Sequence, residues 1–212
     1  MEKFIQTLIY IHAFFGGVAL LSGLVSMVAK KGNKAHKKAG LLFFYAMMLS
    51  GIIAMFVAIS PNHNSPFLFS IGIFSLYFVF TGKRALRFKR KNNSLKIDKL
   101  ISTTMLITGF CMILVPIIFT KSINIILIVF GVVGMVFSIK DLIQFKNPNK
   151  LKKGWLKFHL GKMIGAYISA TTAFVVVNQF FPSIYGWFAP SILGGFVIAY
   201  WIKKINRKTL VN

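Results

Sequence analysis

Seven apolar runs, each of 17 to 26 residues, follow one another along this chain with hardly a charge inside them. A helix rises about 1.5 Å per residue, so every run can cross the roughly 30 Å of hydrocarbon in a bilayer. They fall at about Phe4–Ala29, Ala39–Ser60, Pro66–Gly82, Leu100–Thr120, Ser122–Ile139, Phe158–Phe180 and Ile184–Ile202. A barrel would alternate apolar and polar residues. These runs are continuous, so helices are the form that satisfies their backbone. With 56 % hydrophobic and only 14 % charged residues, and a mean hydropathy of +0.72, the 212 residues lack the polar surface of a soluble globule. The expected fold is all-α: one polytopic transmembrane bundle over residues 1–212, with seven spans.

The charges repeat that reading. There are 26 Lys and Arg against 3 acids, a net charge of +23. In a soluble chain this excess would point to nucleic acid. Here the blocks Lys30–Lys38, Lys83–Lys99, Lys140–Lys162 and Lys203–Lys208 hold 24 of the 26, and only Lys3 and Lys121 fall on the other side. Short basic connections stay in the cytoplasm, which predicts the N-terminus outside and the C-terminus inside. The expected location is a bacterial inner membrane. The expected partners are the lipid bilayer and anionic lipids at its cytoplasmic face, and no nucleic acid. The start Met1-Glu-Lys-Phe4 lacks a strong basic region, and the run behind it is too long for a cleaved signal. Cys111 is the lone cysteine, which excludes an intramolecular disulfide and a four-thiolate metal site.

Polarity inside the spans is sparse. Asp141 stands at an inner end, and Lys162 sits four residues into the sixth run with a stem long enough to reach the headgroups. A carboxylate-based proton relay is therefore not expected. The four histidines cluster toward the two faces: His12 and His63 on the outer side, His36 and His159 on the inner. Two imidazoles per face is what two stacked haems, one in each leaflet, require. These four are the candidate cofactor-binding residues, and haem b is the cofactor they suit. Zinc fits less well, because it takes three or four protein ligands. Along the first run His12, Gly16, Ala19, Gly23 and Ser26 form a small-residue stripe, suited to close helix contact or to one wall of a flat ligand. The turn before His36 and the segment Lys152-Lys153-Gly154 before His159 echo each other as basic, glycine-containing approaches to a histidine. No nucleotide loop, His-Glu-x-x-His, serine elbow or carboxylate pair is present, so no catalytic residue is assigned.

His12-Ala-Phe-Phe-Gly16-Gly17, His36-Lys-Lys-Ala-Gly40 and His159-Leu-Gly-Lys-Met163, with Tyr167 and Thr172-Ala-Phe, resemble a family of bacterial multi-pass membrane proteins of unassigned function over most of the chain. The resemblance implies a polytopic inner-membrane protein and carries no reaction, ligand or cofactor. In layout alone the chain is similar to membrane haem proteins of the cytochrome b561 type, which hold their ligands deep in the helical core. Three functions follow from these readings: an accessory or structural membrane protein, a haem b or quinone-linked electron carrier using the histidines, or a small-solute or lipid transporter. Seven spans without a clear inverted repeat weigh against the last.

Overall fold

The computed structural model describes the whole chain apart from residues 91–93, 182–183 and 212, and apart from the side chains of Thr120 and residues 208–211. Seven helices are present among the described residues: α1 (Glu2–Val28), α2 (Lys34–Ala58), α3 (Pro66–Arg84), α4 (Lys96–Val115), α5 (Ile125–Phe145), α6 (Pro148–Val177) and α7 (Tyr185–Val211). Each is long and apolar enough to cross a membrane.

Local chemistry sets the boundaries. Between α1 and α2, Gly32 takes φ +83°, a left-handed turn that favours glycine, and the Asn33 side chain accepts from the His36 N–H at 2.8 Å. Lys31 donates to the carbonyls of Ser26 (3.2 Å) and Met27 at the end of α1, where the helix dipole favours a cation. Ser65, Asn124 and Asn147 cap α3, α5 and α6 in the same way, with Pro66 and Pro148 in the first turn. Pro116 has no N–H to give, so α4 opens into one π turn over Pro116–Thr120 and stops at Lys121, φ +48°.

The spans differ from the sequence reading at their basic ends. α5 runs on to Phe145, and α6 starts at Pro148 rather than near Phe158. The cause is a small apolar cluster in which Leu151 and Phe158 of α6 pack with Phe145, Ala85 and Phe88, while Trp155 lies half-buried beside them. The rings of Phe88 and Phe158 meet edge-on at 5.3 Å. This cluster gives the basic first turns of α6 an apolar footing.

α3 is the central helix. Its Phe74, Tyr77, Phe78 and Val79 are buried against Phe43 and Met47 of α2, Met105 of α4, Phe130 of α5 and Ala166 of α6. Phe74 meets Phe78 and Phe130 edge-on at 4.9 and 5.0 Å, contacts worth about 0.5–1.5 kcal/mol each beyond their area. α1 packs on α2, α2 on α3, α3 on α6 and α6 on α7; α1 also touches α6, and α4 pairs with α5. Ala19 is fully buried, as the small-residue stripe predicts. Outward faces carry large exposed apolar side chains, among them Phe14, Leu21, Phe56, Leu100, Ile192 and Phe196, which is a surface made for lipid.

Candidate functional site: a buried ion-pair centre and two histidine clasps

Lys162 does not reach for the headgroups. It is 3 % exposed, and its ammonium donates to Asp141 Oδ2 at 2.7 Å and to the Tyr77 hydroxyl. Tyr77 in turn donates to the same carboxylate oxygen at 2.5 Å, and Ser102 adds a longer bond of 3.3 Å. Four helices therefore meet on one carboxylate: α3, α4, α5 and α6. The rings of Tyr77, Phe78, Phe137 and Phe158 surround the ammonium at 4.1 to 5.2 Å from their centroids. The reason is topological. The face of α6 carrying Lys162 turns onto α3, where a Cβ added at Gly82 would stand 3.1 Å from the Lys162 Cβ. The stem cannot turn outward from there. Asp141 is likewise 2 % exposed rather than an end residue in water, so the bundle does hold a carboxylate inside it.

A second pair lies nearby. Arg84, at the end of α3, grips Asp98 of α4 through Nε (2.7 Å) and an Nη nitrogen (2.6 Å). Such bidentate geometry is specific to the guanidinium fork. With Glu2 on His63, all 3 acids of the chain are engaged by a basic group.

The histidines reveal an order that the sequence reading missed. His12 Nδ1 lies 2.9 Å from the Ser50 carbonyl and 2.9 Å from Ser50 Oγ, which donates to the His12 carbonyl at 3.0 Å. His36 does the same with Ser26: Nδ1 at 2.9 Å from the carbonyl and 3.2 Å from Oγ, which reaches the His36 carbonyl at 3.4 Å. Both helices carry His-x3-Gly-x9-Ser, as His12, Gly16 and Ser26 in α1 and His36, Gly40 and Ser50 in α2. Antiparallel pairing sets each histidine against the other helix's serine. Each glycine leaves room for that serine hydroxyl, which would stand 3.5 Å (Gly16) or 3.2 Å (Gly40) from an added Cβ. The signal was a self-match between the first two runs, not the echo between His36 and His159.

His159 Nδ1 lies 2.7 Å from the Gly82 carbonyl, and His36 stands within electrostatic reach of it. A carbonyl only accepts, so Nδ1 carries the proton in His12, His36 and His159, which leaves the Nε2 lone pair for a ligand. His63 is different, because its Nε2 sits 3.0 Å from Glu2 Oε1. Glu2 is ten residues from His12, about 15 Å of helix rise. His63 is thus held well away from the His12 end of the clasp, whereas an electrostatic interaction links His36 and His159. Among the described residues, no three His, Cys, Asp or Glu side chains stand together to hold a metal ion.

At the basic end a cleft of about 480 Å³ opens between Phe44 of α2 and the last turns of α3. Phe44, Phe80 and Leu86 give it an apolar floor, and Lys83, Arg84, Arg87, Lys89 and Arg90 rim it. Lys83 stands over the Phe44 ring at 5.7 Å and Lys89 over Trp155 at 5.3 Å.

No family model, no curated protein and no solved structure matches the chain. Neither the bacterial family nor the cytochrome b561 layout finds a counterpart there, and what stands is a seven-helix, apolar, polytopic membrane bundle.

Proposed function

We propose that this is an accessory membrane protein of a bacterial inner membrane, with its N-terminus outside and its basic end in the cytoplasm, where it holds anionic lipid headgroups. The observation that carries this reading is the basic cleft. An apolar floor with a cationic rim at the end of a membrane helix suits a phosphodiester together with the first carbons of its chains. Each Lys or Arg near the surface contributes about 1 kcal/mol of attraction to an anionic leaflet. The test is reconstitution in nanodiscs of phosphatidylethanolamine with and without phosphatidylglycerol, followed by native mass spectrometry of the extracted protein. Retained phosphatidylglycerol should fall in Lys83→Gln/Lys89→Gln. Equal retention of both lipids by the wild-type chain would overturn the reading. C-terminal reporter fusions test the orientation, and a signal from outside the cytoplasm would reverse it.

A histidine-based electron carrier is favoured by a different observation: three histidines hold Nδ1 on a carbonyl of a neighbouring helix. That is how protein matrices orient imidazole ligands, with the opposite nitrogen presented to the metal. In this reading His36 and His159 are the inner ligands of haem b and His12 an outer one, while His63 is engaged by Glu2 about 15 Å of helix rise from His12. A Soret band that is lost in His36→Ala and His159→Ala, with folding kept, would support it. A colourless folded protein after haem-supplemented expression would remove it.

A further inference from the structure

A cavity of about 260 Å³ lies between α3, α5, α6 and α7, away from the basic cleft and the histidine clasps. Phe74, Phe78, Phe130 and Phe137 line one side, while Gly161 and Gly195 leave bare backbone on the other. A Cβ at either glycine would meet nothing within 4 Å. The result is a slot with aromatic walls, and Gly195 and Ser191 are exposed at its mouth, so it opens sideways to lipid.

Thr172 also lines the slot. Its Oγ1 is buried and has no hydrogen-bond partner, alone in this among the side-chain atoms of the described residues. A threonine in a helix normally returns its hydroxyl to a carbonyl one turn back. Thr171 does so, to Tyr167 at 2.9 Å. A buried hydroxyl left without a partner has lost its water with nothing in return, a loss that a bound acceptor would recover.

Position narrows the occupant. Thr172 lies five residues, about 8 Å, inside the end of α6 at Val177. The ester oxygens of a phospholipid sit at the interface, above that level. An oxygen meeting Thr172 therefore belongs to a molecule dissolved in the hydrocarbon itself. Among the described residues no ionisable side chain lines the slot, so that molecule is neutral, and rings facing bare backbone favour a planar body.

We propose that the slot binds the ring of a quinone-class lipid, one carbonyl oxygen of which accepts from Thr172 Oγ1. This site stands independently of the headgroup cleft, and its binding is separate from any electron transfer through the histidines.

Trp187 reports on it, because its ring stacks edge-on at 6.0 Å against Phe130, a wall of the slot. The test uses the full chain as Trp155→Phe/Trp201→Phe in nanodiscs, titrated with a benzoquinone bearing a ten-carbon chain, which quenches indole fluorescence. Saturable quenching of Trp187 is expected. Thr172→Val should weaken binding about three- to tenfold, the value of one hydrogen bond. Gly195→Leu should abolish saturation while keeping the melting temperature, since its side chain enters empty space at the mouth of the slot. Decylbenzene, which has the ring and chain but no carbonyl, should displace the quinone only at about three- to tenfold higher concentration. Quenching that rises linearly and alike in the wild type and Gly195→Leu would overturn the proposal. So would an unchanged affinity in Thr172→Val, or displacement by decylbenzene at equal concentration.

Discussion

Removing the ammonium of Lys162 should destabilise the bundle far more than removing the whole ion pair. At 2.7 Å, an effective dielectric constant of about 20 gives an attraction of about 6 kcal/mol between Lys162 and Asp141. Desolvating each ion costs several kcal/mol, so the intact pair is close to neutral in net terms. Truncating one partner removes the attraction and keeps the other ion's desolvation, typically a loss of about 3–5 kcal/mol. Lys162→Met leaves Asp141 with donors from Tyr77 and Ser102, so its loss should fall near the lower end. Asp141→Leu leaves the ammonium with one phenolic oxygen and four ring faces, so its loss should fall near the upper end. Asp141→Leu/Lys162→Met should return to within about 1–2 kcal/mol of the wild type. At about 2–4 °C per kcal/mol, each single variant should melt roughly 10 °C lower in detergent, followed by tryptophan fluorescence. Lys157→Met, at an exposed position, is the control. A single-variant loss under about 1 kcal/mol, or a double variant as unstable as the two losses added, would refute the reasoning.

Gly23→Leu should strongly lower the yield of folded protein, because its Cβ would stand 2.5 Å from the Tyr167 ring and 3.0 Å from Phe43. Gly17→Leu, which meets nothing within 4 Å, should fold normally when both are compared by size-exclusion chromatography. Ser26→Ala and Ser50→Ala should each cost about 1 kcal/mol in thermal unfolding. Their costs should add, since about 21 Å of helix separates the two clasps. Arg84→Lys keeps the charge on Asp98 but loses the fork, and should cost about 2 kcal/mol in the same assay.

The membrane character, the seven spans and the buried face of α1 were legible because they rest on one-dimensional periodicity. The ion-pair centre was not. From sequence, Lys162 stands four residues into a helix that starts at Phe158, within reach of the headgroups. The helix in fact begins at Pro148, held by contacts of Leu151 and Phe158 with residues from two other segments. Which way Lys162 points depends on α6 resting on α3, a tertiary fact. An acid near the end of one span and a lone base inside the next was the available hint. The clasps were hidden for another reason: the motif is a widely spaced self-match, visible only when the first two runs are laid over each other at an offset of 24 residues. Small-residue spacing marks the half of the motif on α1, but nothing local to the sequence pairs its serine with a histidine of the next run.

The repeated clasp makes the first two helices a pairing unit that another copy can also complete. In the hairpin, His12 meets Ser50 and His36 meets Ser26, and the first helix of one molecule would find in the second helix of another the same partners at the same register. A first helix could therefore pair antiparallel with a neighbour's second as readily as with its own, the exchange that makes a swapped dimer. What decides the matter is the five-residue turn between Val28 and Lys34, which presents the second helix at an effective concentration on the order of millimolar. Shortness of a turn here acts as a chaperone: lengthen it, and the choice between folding alone and exchanging helices with a neighbour passes to mass action.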